Sequence, residues 1–177
     1  MKINVICYPY LFLLFFMLCL TGCLETPVGM SAYELQKENG WGKPKGQIKM
    51  DNHEIWWYDL YGVDTCVFLK NGQVIGQLKY PPEEKIWPVV QTWASDVKND
   101  VKYRTNLDKN INDILQRNLR CGMTRTEVRL TWGRPVDEKK SYLADGLYEE
   151  WTYEHRAVYR QTGLFFKNGY LMNWENK

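Results

Sequence analysis

The order of signals between Gly29 and Gly72 recurs between Gly122 and Gly169, and this duplication restricts the chain to folds built from two copies of one small unit. Gly29-Met30-Ser31-Ala32-Tyr33-Glu34-Leu35 corresponds to Gly122-Met123-Thr124-Arg125-Thr126-Glu127-Val128, and Trp41-Gly42-Lys43-Pro44 to Trp132-Gly133-Arg134-Pro135. Trp56-Trp57-Tyr58 then corresponds to Trp151-Thr152-Tyr153, and Val67-Phe68-Leu69-Lys70-Asn71-Gly72 to Leu164-Phe165-Phe166-Lys167-Asn168-Gly169. The offset between copies runs 93, 91, 95 and 97 residues, so short insertions separate matched elements.

Each stretch dictates a local structure. Ser31 and Thr124 suit a helix N-cap, and Glu34 and Glu127, three residues on, close a capping box. Met30 with Leu35, and Met123 with Val128, complete a hydrophobic staple. Trp-Gly-x-Pro stops the helix after about two turns, because glycine accepts positive φ and proline cannot continue the hydrogen-bond ladder. The Asn-Gly pairs at 71–72 and 168–169, set among aromatic and β-branched residues, predict tight hairpins. The expected fold class is therefore α+β. It comprises two tandem modules, each of short helices on a small antiparallel sheet of about three strands, joined by a helical link. The strands are expected near Glu54–Leu60, Thr65–Lys70 and Gln73–Lys79, then Tyr148–His155, Val158–Lys167 and Tyr170–Glu175.

The N-terminus reads as a targeting segment. Lys2 precedes an apolar run from Tyr10 to Leu20, and Leu20-Thr21-Gly22-Cys23 resembles the bacterial lipobox. That resemblance implies removal of residues 1–22, a diacylglycerol thioether on Cys23 and a further acyl chain, such as palmitate, on its amine. A non-lipidated secretory signal and an uncleaved membrane anchor are the alternatives. Several acyl chains on one residue anchor stably where one does not. Leu24 and Glu25 follow in place of an aspartate, which implies the outer membrane, facing the periplasm.

Without residues 1–22 the chain has 177 minus 22, or 155, residues, and loss of Lys2 lowers the net charge from +2 to +1. That balance gives no electrostatic footprint for nucleic acid. The expected division is a first module at 23–80, a helical link at 81–106 and a second module at 107–177. In the link, Pro88 suits a first helical turn, with Val90, Trp93, Ala94, Val97 and Val101 recurring at three- and four-residue steps. A second stripe follows at Leu107, Ile111, Ile114, Leu115 and Leu119. One helix is expected to cover the first sheet and the other to open the second module.

Residues suited to chemistry are sparse. His53 and His155 are the only histidines, without metal-ligand spacing, and read as surface or strand-edge side chains. Glu149 and Glu150 are adjacent on a strand and point to opposite faces, so they cannot converge on one substrate. Ser31 reads as a cap, and the glycines form no phosphate loop. No enzyme activity, metal or cofactor is expected. Cys66 and Cys121 remain once Cys23 is lipidated. In an oxidising compartment they are either a disulfide, worth roughly 4 kcal/mol in the chain-entropy model, or two separate thiols.

The aromatic residues say more. Trp56 and Tyr58 should share a strand face against the helices, as Trp151 and Tyr153 should in the second copy. Trp57 then lies on the other face, where the second copy has Thr152. Either the modules cover each other's second face or that face is a docking surface, and Trp57 is the candidate partner-binding residue.

Taken in order, the Gly-Met-[Ser/Thr]-x-x-Glu-[Leu/Val], Trp-Gly-x-Pro, Glu-Glu-Trp-x-Tyr and Phe-x-Asn-Gly-x-Leu signals resemble the SmpA/OmlA/BamE family of small outer-membrane lipoproteins. The duplicated arrangement resembles the β-lactamase-inhibitor-protein fold. The resemblance covers most of residues 118–177 and, more loosely, 27–79. It implies an α+β module with a binding or scaffolding role and carries no functional residue over. The expected function is a protein-binding scaffold or accessory factor, in outer-membrane protein assembly or envelope integrity, with envelope proteins as partners. The alternatives are an inhibitor of an envelope or secreted hydrolase, and an enzyme acting on cell wall or lipid.

Overall fold

The computed structural model describes residues 26, 28–37, 40–155 and 160–176. Residues leading into helix α1 (Ala32–Lys37) are followed by strands β1 (Gly46–Met50), β2 (His53–Leu60), β3 (Val63–Lys70) and β4 (Gln73–Tyr80). Helices α2 (Ile86–Asn99), α3 (Val101–Thr105) and α4 (Leu107–Leu115) come next. Helix α5 (Arg125–Trp132) and strands β5 (Asp137–Leu143), β6 (Gly146–His155), β7 (Arg160–Lys167) and β8 (Tyr170–Asn176) complete the chain. The strands form two antiparallel sheets, ordered β1-β2-β3-β4 and β5-β6-β7-β8. The fold is α+β in two tandem modules, with no described helix long and apolar enough to cross a membrane.

The duplicated signals build duplicated geometry. At α1 the Ser31 N–H donates to Glu34 Oε2 at 2.7 Å and the Glu34 N–H to Ser31 Oγ at 3.2 Å. At α5 the Thr124 N–H donates to Glu127 Oε2 at 2.8 Å and the Glu127 N–H to Thr124 Oγ1 at 3.3 Å. Trp41 meets Tyr58 edge-on at 5.0 Å, and Trp132 meets Tyr153 edge-on at 5.4 Å. The tyrosine hydroxyls donate to the carbonyls of Gly42 and Gly133, the glycines of the two helix stops, at 3.4 and 2.9 Å. Asn71-Gly72 and Asn168-Gly169 all have positive φ, as the hairpin turns require. A register shift falls at Phe68/Leu69 and again at the matched Phe165/Phe166. Thr124→Ala, and equally Ser31→Ala, should each cost about 1 kcal/mol, the usual cost of a lost N-cap. The urea midpoint reads that loss, and an unchanged midpoint for both variants would contradict the paired capping boxes.

Each sheet has four strands where about three were expected. The extra strands are β1 and β5, and neither carries a strong apolar alternation. In β1 only Ile48 and Met50 are apolar, and all seven residues of β5 are exposed. Strand β1 does alternate, with Ile48 and Met50 turned to the core, but over too few residues to stand out. Strand β5, buried on neither face, has no reason to alternate. Strand β7 begins at Arg160, and Val158, where the sequence placed its start, lies outside the described residues.

Three buried clusters hold the layers together. On one face of the first sheet Trp56, Tyr58, Val67, Leu69 and Val74 pack with Leu35 and Trp41. On its other face Ile55, Cys66, Phe68, Leu78 and Tyr80 pack with Val90, Trp93 and Val97 of α2 and with α4. In the second module Trp151, Tyr153, Leu164, Phe166 and Leu171 pack with Met123 and Val128. Helix α4 was expected to open the second module. Instead its Leu107, Ile111 and Ile114 belong to the core of the first. Val101 also leaves the predicted stripe: Asp100 is extended, with φ −122° and ψ 115°, which ends α2 and leaves Val101 67% exposed. Helix α5 serves both modules. Val128 enters the second core, Leu130 enters the first, and the Tyr80 hydroxyl donates to the Leu130 carbonyl.

A short segment before each capped helix covers the edge of its sheet. The Gly29 N–H donates to Val74 O at 2.7 Å and the Val74 N–H to Met30 O at 2.8 Å, with Ser31 bridging Gln73. In the second module the Gly122 N–H donates to Leu171 O and the Leu171 N–H to Met123 O, both at 2.7 Å, with Thr124 bridging Tyr170. The last strand of each sheet is thus protected, and β5 has no such cover.

Candidate protein-binding surfaces

Most of the residues singled out from sequence are internal. Trp57 stacks on Trp87 of α2, with ring centroids 5.6 Å apart and planes 12° apart. Its indole N–H donates to Asp64 Oδ1 at 3.0 Å. Trp57 is therefore half-buried in the contact between the first sheet and the helical link, and its partner lies within the chain.

The disulfide considered for Cys66 and Cys121 is not formed: both thiols are free. Cys66 is sealed in the core of the first module, where burial, with the Asp64 charge adding to it, pushes its thiol up to about 12. Cys121 is exposed on the segment that covers β8, and its thiol donates to the Met172 carbonyl at 2.9 Å. Cys23 lies outside the described residues.

His53 is not a surface side chain. It is 3% exposed, and its Nε2 lies 2.8 Å from Asp108 Oδ1, which also accepts from Lys70 Nζ at 2.6 Å. This cluster fastens the first turn of α4 to the end of β2. The side chain of His155 lies outside the description. Glu149 and Glu150 do diverge. Glu149 is buried and accepts from Arg125 at 3.0 and 3.2 Å, with Lys140 Nζ at 3.5 Å, while Glu150 pairs on the other face with Phe165. Among the described residues no group of three or more His, Cys, Asp or Glu side chains could hold a metal ion.

A polar notch of about 250 Å³ lies at the waist, lined by Asp100, Lys109, Asn110, Arg120, Cys121 and Glu127 among others. Arg120 is held by Asp113 at 3.0 Å and Asn110 at 2.9 Å. Glu127 is 1% exposed, and among the described residues its Oε1 makes no well-formed hydrogen bond, the buried Trp93 indole being the donor that bears on it. Sequence reasoning saw Glu127 only as a capping residue, since nothing local signals that α5 is sandwiched between two cores. Burial raises its carboxyl above the ordinary value of 4.5, and the Thr124 N–H and hydroxyl, the Trp93 indole N–H and the Arg120 charge oppose that rise. Over the window above 4.5 the folded chain holds a proton that the unfolded chain has released, so stability from this group falls as pH rises. Between about pH 4 and about pH 7 the wild type should lose stability relative to Glu127→Gln. Parallel melting curves of the two proteins across that range would contradict the assignment.

The surface that distinguishes the modules is the second face of each sheet. In the first, Ile55 pairs with Phe68 and Trp57 with Cys66, and all four lie beneath helices. In the second, the matched pairs are Glu150 with Phe165 and Thr152 with Gly163. These residues join none of the buried clusters, and Phe165, Glu150 and Thr152 are only half-buried. Strand β5 borders this face and contributes to it Leu143, which pairs with Gly146 and is 60% exposed, while Tyr142 pairs with Leu147 and belongs to the opposite face. Among the described residues, the sheet of the second module is thus uncovered on one side and at one edge.

No protein-family model matches the chain and no curated protein does, so the resemblance to the SmpA/OmlA/BamE family finds no second support. Among solved structures the chain is similar to a crystal structure from Streptococcus mutans that carries the provisional designation of β-lactamase inhibitor protein. The identity is 14%, over 93% of this chain and 96% of that one, with a TM-score of 0.30.

Proposed function

We propose that the chain is a lipid-anchored envelope protein that binds another envelope protein through its second module, as a scaffold or accessory factor. The observation that carries this reading is the difference between matched faces. The first module covers Ile55, Trp57 and Phe68 with helices, while the second leaves Glu150, Thr152 and Phe165 half-buried and under no described helix, on a sheet whose β5 edge has no described neighbour. An open antiparallel edge accepts an extended segment by main-chain pairing, and the flanking side chains select it. Aromatic side chains such as Phe165 and Tyr148, which share this face, supply contact area at low entropic cost. The first module and the helical layer then act as a mount that holds this face in place.

Photo-crosslinking in the native envelope tests the reading. A photoreactive residue at Phe165 or Leu143 should capture a discrete protein, whereas one at Asn52, on the β1–β2 turn, should not. Recovery of an envelope-assembly component supports the accessory role, and recovery of a hydrolase supports inhibition. Equal capture at all three positions, or none at Phe165 and Leu143, would overturn the assignment of the face.

A further inference from the structure

Thr26, the first described residue, is docked rather than trailing. It is 7% exposed, and its backbone N–H and hydroxyl reach Gln77 Oε1 on β4 at 3.4 and 3.0 Å. From there the chain runs antiparallel along the β4 edge to the Ser31–Gln73 bridge. Cys23 precedes Thr26 by three residues, and three extended residues span at most about 11 Å. A lipid on Cys23, the reading on which this inference rests, therefore keeps the bilayer surface within about that distance of the Gln77 side of the first module.

The chemistry around Thr26 suits that surface. A groove of about 450 Å³ is lined by Val28, Gln77, Lys79, Leu115 and Arg117 with their neighbours. Val28 is 74% exposed, an apolar side chain directed to solvent beside the anchor. Lys79, near the end of β4, and Arg117, in the turn after α4, are exposed cations on the two sides of the groove, with Arg117 Nη1 also donating to the Thr131 carbonyl at 3.0 Å. Gly76 admits Leu115 against the β4 backbone, because an added Cβ there would stand 2.8 Å from a Leu115 methyl carbon. That contact holds the end of α4, and so Arg117, in line with the tether.

We propose that this side of the first module, with Val28, Lys79 and Arg117, rests against the phosphate headgroups of the membrane to which the chain is anchored. The docked tether fixes the orientation, and the two cations meet the anionic surface. Such attraction falls off within a Debye length, so only groups held near the anchor contribute. The β1–β2 turn and the first turn of α4, at the far end of the sheet where His53, Lys70 and Asp108 meet, point away from the bilayer.

The test uses full-length lipidated protein in vesicles of phosphatidylcholine, with and without phosphatidylglycerol, carrying a nitroxide-labelled lipid. In a Cys121→Ser background a fluorophore is attached at Val28→Cys, Gln116→Cys or Asn52→Cys. Quenching at positions 28 and 116 should exceed that at 52 several-fold. In the phosphatidylglycerol vesicles, Lys79→Glu with Arg117→Glu should shrink that difference while the protein still floats with the vesicles. Uniform quenching in protein that floats overturns the orientation and leaves the anchoring intact. Quenching unchanged by the charge reversals overturns the role of the cations. Protein that neither floats nor shows acyl mass at Cys23 removes the anchor itself, and this inference with it.

Discussion

Trp93→Ala should destabilise the protein by about 3–5 kcal/mol, the range for removing a large aromatic from a packed core. Trp93 is fully buried on α2 and belongs to the cluster that draws together both pieces of the helical layer, the first sheet and Leu130 of α5. Its removal leaves a cavity that no single element can close. Since total stability for a domain is about 5–15 kcal/mol, the variant should sit near the edge of folding. Chemical denaturation reads the loss directly. A substitution at Tyr61, which is 93% exposed, should stay within about 0.5 kcal/mol and serves as the comparator. A Trp93 variant as stable as the Tyr61 variant would contradict the assigned core.

Trp57→Thr should lower the melting temperature, at a cost of about 2 kcal/mol, by removing a half-buried indole and its stack on Trp87. Capture of a partner through Phe165 should be unchanged, because Trp57 lies between the first sheet and α2. The reciprocal Thr152→Trp should bring no gain in stability, since the matched face of the second sheet has no helix for an indole to stack on. A Trp57→Thr protein with unaltered melting and weakened partner capture would return Trp57 to the docking surface.

The duplication made most of the architecture legible. Capping boxes and Asn-Gly turns depend on residues a few positions apart, and the edge-on Trp–Tyr pairs on residues about twenty positions apart within one module, so their signals are local. The mismatch of Trp57 and Thr152 was also visible, as was the pair of answers it allowed. What could not be read was which surface covers which face. Helix α4 has an apolar stripe that would serve either module, and only the assembled layer shows Leu107, Ile111 and Ile114 facing the first sheet. Strand β5 has no inward apolar residues at all, so periodicity passes over it. The burial of Glu127 follows from α5 being claimed by two cores, which no window along the sequence reports. The candidate surface therefore went unread for the same reason it exists: it is the face that packing leaves uncovered.

Sharing α5 imposes an order on synthesis. The second core is built from residues 123 onward, but the first is short of Leu130 and of the carbonyl that Tyr80 requires. As the chain leaves the ribosome or a translocation channel from its N-terminus, the first module cannot complete its interior when its own strands have emerged. It waits for about fifty more residues after Tyr80, until α5 arrives and closes it. A nascent chain halted before that point leaves exposed the part of the first core that Leu130 would cover, the condition under which chaperone capture is most needed. The protein is thus modular in its pattern but not in its assembly.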